Sequence, residues 1–190
     1  MRIAVLAVQG AFIEHENMLA SLGCGCLELR RASDLEQPFD GLVLPGGEST
    51  VMGKLLRELD MFVPLLTRIR GGLPVFGTCA GLLLLAETIA NEGKTCFATF
   101  PGVARRNAYG RQLGSFQAEE EFAGLGKVPM PFIRAPYLES VGRDTEVLAT
   151  VGGKIVAARY GRQLVTAFHP ELTGSTIVHE AFLRMVEAAS

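Results

Sequence analysis

The stretch Leu73-Pro-Val-Phe-Gly-Thr-Cys79-Ala-Gly-Leu-Leu-Leu-Leu-Ala86 constrains the fold of this chain more than any other, because it is apolar on both sides of a glycine. A run with the length and composition of a strand covered on both faces breaks at Gly77, and a second apolar run restarts with helical length. At the break, Gly77-Thr78-Cys79-Ala80-Gly81 has the form Gly-x-nucleophile-x-Gly. In that pattern the two glycines permit a sharp strand-to-helix turn that holds the nucleophile where a substrate can reach it. The positive end of the following helix would favour thiolate at Cys79. The same spelling also describes a buried cysteine in a Gly-flanked turn, and the pentapeptide alone does not choose.

The alternation repeats along the first half of the chain. Ile3–Val8 is a continuous apolar run ending at Gln9-Gly10, and Phe12, His15, Met18, Leu19 and Leu22 then recur at helical spacing, with Gly23 placed for a left-handed cap. On that stripe His15 faces the core or a partner rather than a metal. Gly25–Leu29 and Gly41–Leu44 read as strands, the latter stopping at Pro45-Gly46-Gly47-Glu48-Ser49-Thr50. Ser49 or Thr50 would cap the next helix, whose stripe is Val51, Met52, Leu55, Leu56 and Leu59. Met61–Arg70 gives a further helix, Leu73–Phe76 the strand ahead of Cys79, and Ala80–Ala90 the helix behind it. The pattern predicts an α/β fold: three layers, a doubly wound, mostly parallel sheet with helices on both faces in the flavodoxin-like manner, and ligands beyond the carboxyl ends of the strands. Cys79 and Gly46-Gly47 both fall at that edge.

From Asn91 onward the character changes. Val103, Phe116, Phe132-Ile133, Val147-Leu148, Ile155–Ala157 and Leu164–Phe168 are apolar points separated by Gly, Pro and charged residues, which predicts short antiparallel strands elaborating the same unit. Ile177, Val178, Ala181, Phe182, Met185 and Val186 form the stripe of a last helix, with His179 off its centre and expected at the surface. With no linker and no repeat, residues 1–190 are expected to form a single domain.

At 190 residues and a net charge of −2 the chain carries no electrostatic footprint for nucleic acid and no polybasic membrane patch. Cys24, Cys26, Cys79 and Cys96 have neither the density nor the spacing of a disulfide framework, and the three histidines complete no zinc signature. Cys24, Cys26 and Cys96 read as ordinary buried or partly buried cysteines. The chain opens on a strand pattern rather than a signal peptide, and no apolar run reaches spanning length. A cytoplasmic protein without metal or cofactor is the expectation.

A catalytic thiol needs a base, and the base needs a carboxylate to fix its tautomer. His169 follows the strand Leu164–Phe168 and begins His169-Pro170-Glu171, whose spacing lets Glu171 fold back onto the imidazole. The Gly46-Gly47 turn exposes backbone amides able to supply half of an oxyanion hole, with the amide of Ala80 as the other half. Taken locally, the turn reads equally as a plain connection.

Gly77-Thr-Cys-Ala-Gly81, Pro45-Gly-Gly47 and His169-Pro-Glu171 together resemble the class I glutamine amidotransferases, over essentially the whole chain. More specifically, Leu44–Thr50, Arg106-Asn-Ala-Tyr-Gly-Arg-Gln112, Phe132-Ile-Arg-Ala-Pro136 and Phe168–Thr173 resemble the glutaminase subunits of pyridoxal 5′-phosphate synthases. Gly93–Gly102 departs from the Leu-Gly-rich approach expected ahead of Arg106. The resemblance implies Cys79 as nucleophile, His169 as base and then acid, and Glu171 as the orienting carboxylate. It implies an oxyanion hole from the amides of Gly47 and Ala80, with Gly47, Glu48, Ser49, Arg106, Ile133 and Arg134 around the glutamine. A carboxylate such as Glu48 suits the α-ammonium of that substrate; Arg106 and Arg134 suit its α-carboxylate, although either could instead hold the loop. The resemblance further implies a hetero-oligomeric complex with a (β/α)8-barrel synthase subunit that consumes the ammonia, sensed through Gln9 and Gly46. Two other readings stand beside it: the glutaminase subunit of imidazole glycerol phosphate synthase, disfavoured by Glu48 and the Arg106–Gln112 segment, and a cysteine-bearing α/β protein or binding module of another class.

Overall fold

The computed structural model describes residues 1–90, 92, 95–106 and 114–189; residues 107–112 of the Arg106–Gln112 segment, and Gly93-Lys94, lie outside them. In chain order the elements are β1 (Arg2–Leu6), α1 (Phe12–Ser21), β2 (Gly25–Leu29), β3 (Gly41–Leu44), α2 (Ser49–Glu58), α3 (Phe62–Arg70), β4 (Val75–Thr78), α4 (Ala80–Leu85) and β5 (Ala86–Ile89). They continue as β6 (Phe100–Arg105), β7 (Ser115–Glu121), β8 (Lys127–Ile133), β9 (Tyr137–Val141), β10 (Thr145–Val151), β11 (Lys154–Tyr160), β12 (Gln163–Thr166) and α5 (Ile177–Glu187).

Strands β2-β1-β3-β4-β12 pair in that order, all parallel, with β1 held between β2 and β3. This is the α/β, doubly wound arrangement that the strand-helix alternation predicts. The sheet then continues past β12 as β11-β9-β6-β5, with β10 on β11, and turns mixed: β12–β11, β11–β9 and β9–β6 are antiparallel, β6–β5 parallel. Strands β7 and β8 form a separate hairpin. Every residue of β3, β4 and β12 is buried, as strands covered on both faces must be. One face of β4 presents Phe76 to Phe182 of α5 and to His15 of α1; on the other, Gly77 approaches Leu85 of α4. Phe76, Phe168 and Phe182 are among the largest fully buried side chains, with Phe97, Phe100, Phe122 and Phe132.

Three local expectations need correction. The helix behind Cys79 runs only over Ala80–Leu85 rather than to Ala90, because the returning chain takes its last carbonyls: the amides of Phe97 and Thr99 donate to the oxygens of Leu84 (2.8 Å) and Leu85 (2.9 Å). Ala86–Ile89 is released into a strand. Neither Ser49 nor Thr50 caps α2; the cap position falls on Glu48 without a side-chain bond, and the Ser49 hydroxyl is taken by Arg106. His179 is not at the surface but fully buried, facing His15 across the α1–α5 contact.

Candidate active site

Four loops leave the carboxyl ends of β1, β3, β4 and β12, and they meet. At the end of β4, Cys79 has φ +48° and ψ −96°, a conformation that costs a residue with a side chain of order 1–3 kcal/mol. The strain therefore sits on the cysteine itself rather than on its flanking glycines. Those are needed for space: a Cβ on Gly77 would meet the backbone of Gly81, and one on Gly81 would run into the Leu44 carbonyl oxygen. The Cys79 amide donates to the Thr166 carbonyl (2.8 Å), tying the elbow to β12. Ala80 opens α4, so its N–H has no partner within the helix.

His169 follows β12, and its amide donates to the Pro131 carbonyl of β8 at 2.9 Å. Its Nδ1 lies 2.7 Å from Glu171 Oε1, with Glu171 placed by the Pro170–Leu172 3₁₀ turn and its side chain closed from solvent. Burial alone would push the imidazole pKa down. The neighbouring Cys79 and the Glu171 carboxylate 2.7 Å away outweigh it and raise the value to about 10, so the ring carries the proton at neutral pH.

The Gly46-Gly47 turn stands against this pair. The Gly46 carbonyl accepts from the Ala11 amide (2.9 Å), and the Glu48 amide donates to Gln9 Oε1 (2.8 Å), so the turns after β1 and β3 are stitched together. A planar peptide then points the Gly47 N–H away from Ala11. Gly10, at φ +99°, has no room for a Cβ beneath the Gly46 carbonyl.

A cleft of about 770 Å³ opens over the thiol, large enough for an amino acid. Cys79, Ala80 and His169 line it together with Gly46, Gly47, Glu48, Ser49, Arg106, Ile133 and Arg134, so the residues singled out in the sequence share one cavity. Glu171 sits behind His169 rather than on the wall, and Gln9 meets the oxyanion turn through its bond from the Glu48 amide. Glu48 and Arg134 are exposed at the rim. Arg106 is engaged: Nη1 donates to Ser49 Oγ (2.5 Å), and Nε makes an ion contact with Glu92 Oε1 at 2.7 Å. Sequence reasoning missed Glu14, Ser115 and Leu172 on the wall, and the Thr78–His15–His179 cluster behind Glu171. Helical phase put Glu14 one position from His15 and could have flagged it. Among the described residues no cluster of ligating side chains could hold a metal, and no helix is long and apolar enough to cross a membrane.

A strained cysteine elbow, a buried His-Glu pair on the neighbouring parallel strand, and a glycine turn facing both, on this sheet, define the triad-type class I glutamine amidotransferases. Residues 5–188 match the model of the SNO glutamine amidotransferase family, and the chain belongs to that family. It is 63% identical over 183 residues to the pyridoxal 5′-phosphate synthase subunit PdxT of Desulfitobacterium hafniense, covering 96% of this chain and 92% of that one. It is 53% identical to the PdxT of Streptococcus pneumoniae, covering 97% of each. A solved structure described as a glutamine amidotransferase superposes with a TM-score of 0.92 at 40% identity, covering 97% of this chain and 98% of that one.

Proposed function

We propose that this chain is the glutaminase subunit of a pyridoxal 5′-phosphate synthase, hydrolysing L-glutamine to L-glutamate and ammonia. The observation that carries the reading is the meeting of Cys79 with the His169–Glu171 pair inside a cleft that also holds Glu48 and two arginines. Sequence identity to PdxT proteins over nearly the full length supports this reading against the imidazole glycerol phosphate alternative.

The Cys79 sulfur attacks the carboxamide carbon of glutamine, and the resulting oxyanion is received by the amides of Gly47 and Ala80. His169, held by Glu171, gives its proton to the departing nitrogen, and ammonia leaves a γ-glutamyl thioester. Water, activated by the now neutral His169, attacks the thioester carbon and gives its proton back to the imidazole; the C–S bond breaks, glutamate leaves, and Cys79 beside the protonated His169 is restored. Glu48 receives the substrate's α-ammonium, and Arg134 at the rim its α-carboxylate. The hydrogen bond of Arg106 to Ser49 and its ion contact with Glu92 favour the loop-holding role for that arginine over direct substrate contact.

The ammonia passes to a synthase subunit, a (β/α)8 barrel in the family resembled, within a cytoplasmic hetero-oligomeric complex. The turn after β1 is bonded to the oxyanion turn at two points, the Ala11 amide to the Gly46 carbonyl and Gln9 Oε1 to the Glu48 amide, so a partner pressing on the turn after β1 reaches the oxyanion turn without an intermediary. Ammonia release from glutamine, measured with and without the barrel subunit, tests the assignment. Release should depend on the partner, and Cys79→Ala should lose several orders of magnitude in rate. Full activity in Cys79→Ala refutes it.

A further inference from the structure

Behind Glu171 lies a second pair of histidines that the triad chemistry does not use. His15 of α1 and His179 of α5 are both fully buried. His15 Nδ1 lies 3.0 Å from His179 Nε2; on its other side His15 Nε2 lies 3.1 Å from Thr78 Oγ1 and 3.5 Å from Glu171 Oε2. Glu171 therefore has one oxygen, Oε1, on His169, while the other, Oε2, is buried without a hydrogen bond among the described residues and faces His15 Nε2 at 3.5 Å. Phe76 stands edge-on to both rear rings, with centroids 5.8 and 5.5 Å away.

Proton inventory orders this chain. A neutral imidazole has one N–H and one lone pair. With the His15 proton on Nδ1, His179 would have to accept at Nε2 and leave its Nδ1–H buried without an acceptor, while His15 would turn a lone pair towards a carboxylate. With the proton on Nε2, His15 donates towards Glu171 Oε2 and Thr78 Oγ1 and accepts from His179 Nε2–H. Acceptor sites alone, a lone pair on His179 Nδ1 and Glu171 Oε2, are then left without a hydrogen bond among the described residues. An orphaned buried N–H is the costlier defect, so the second arrangement holds and every donor points towards Glu171. Burial, together with the neighbouring His179 and His169, keeps His15 neutral, and burial does the same for His179.

From this geometry we infer that His15, its tautomer fixed by His179, is a positioning residue of the glutaminase reaction: its Nε2–H, bonded to Thr78 and facing the rear oxygen of Glu171 at 3.5 Å, attracts that oxygen electrostatically so that the front oxygen stays on His169. The inference rests on the glutaminase reading given above. The terminal torsion of a glutamate is soft, and a carboxylate held at one oxygen only would swing. His15 is the only nitrogen donor recorded against Oε2 among the described residues.

Two measurements test it. In the full chain labelled with ¹⁵N-histidine, NMR should show His15 as the neutral Nε2–H tautomer; an Nδ1–H tautomer or a charged ring overturns the inference. In the complex with its synthase subunit, His15→Phe should lower kcat for glutamine roughly 10- to 100-fold while KM stays within about twofold, the signature of a lost contact with a charged group that does not touch substrate. His15→Gln, whose amide nitrogen replaces Nε2, should recover most of that loss; His15→Asn, whose amide replaces Nδ1, should not. An unchanged kcat in His15→Phe, or equal rates for the Gln and Asn variants, overturns it, and the latter comparison stands if His15→Phe does not fold. Cys79→Ala in the same assay keeps the two claims apart: activity surviving there breaks the triad reading itself, whereas an inactive Cys79→Ala beside a fully active His15→Phe removes only the role of His15.

Discussion

Gly46 lies flat against the His169 ring, and a Cβ at that position would overlap Cε1. Gly46→Ala must therefore displace either the imidazole or the turn, and a misplacement of about 1 Å is worth some hundredfold in rate. The expected result is a folded protein by circular dichroism with glutaminase turnover down about a hundredfold; turnover near wild type would show that the ring has slack. The histidines also shape stability against pH. His169 binds its proton more tightly in the fold, at about 10 against an ordinary 6.5, so its contribution is complete below 6.5 and is lost as pH rises through 10. His179, lowered by burial to about 4, and His15, lowered as well, refuse a proton that the unfolded chain accepts; their share is complete above 6.5 and is lost as pH falls towards 4. Stability should peak between these limbs, near pH 6.5. His179→Phe should flatten the acid limb by on the order of 3 kcal/mol, read from denaturation midpoints between pH 4 and 7. Cys79, His169 and Glu171 were legible in the sequence because strand-end glycines and a proline spell out turns. His15 was legible on the core stripe of its helix, but His179 and the pairing of the two were not, since a period count scores histidine as polar and cannot see that two such residues, far apart in the chain, meet.

Helix α4 shows what lies beyond local spelling. Nothing between Leu85 and Ala90 is a stop signal, and the six-residue helix ends because Phe97 and Thr99 claim its carbonyls from a distance. Phe97 is itself buried, with its ring stacked on Phe62 at 5.4 Å. Phe97→Ala should cost about 3–5 kcal/mol, seen as a lower urea midpoint with an unchanged slope, and should loosen the elbow that α4 anchors. A loss under about 1 kcal/mol would mean that the ring is not part of the α3–α4 seam. The strands of the second half were readable where one face is exposed: β6 and β8 alternate buried and open positions residue by residue. Which of them would join the main sheet, and which would stand apart as the β7–β8 hairpin, depends on pairing partners that no single segment encodes.

Across the whole molecule, the site is a meeting of loops from one edge of a ten-stranded sheet. The turn after β1 clamps the turn after β3 through Gln9 Oε1 and the Glu48 amide. Gln9→Leu removes that clamp and should reduce stimulation by the synthase subunit roughly five- to tenfold, the worth of one hydrogen bond, leaving the melting temperature nearly unchanged; undiminished stimulation would place the sensing elsewhere. The parallel half of the sheet was legible from its apolar runs, which leave no solvent face for either surface. The position of β12 has a consequence for biosynthesis. This strand, made after all the other described strands, is inserted between β4, made far earlier, and β11. A nascent chain thus presents Cys79 long before it can present His169, the base of the proposed triad. Until β12 closes that seam the newborn protein cannot consume glutamine, which makes completion of the sheet an intrinsic checkpoint on when the enzyme begins to work.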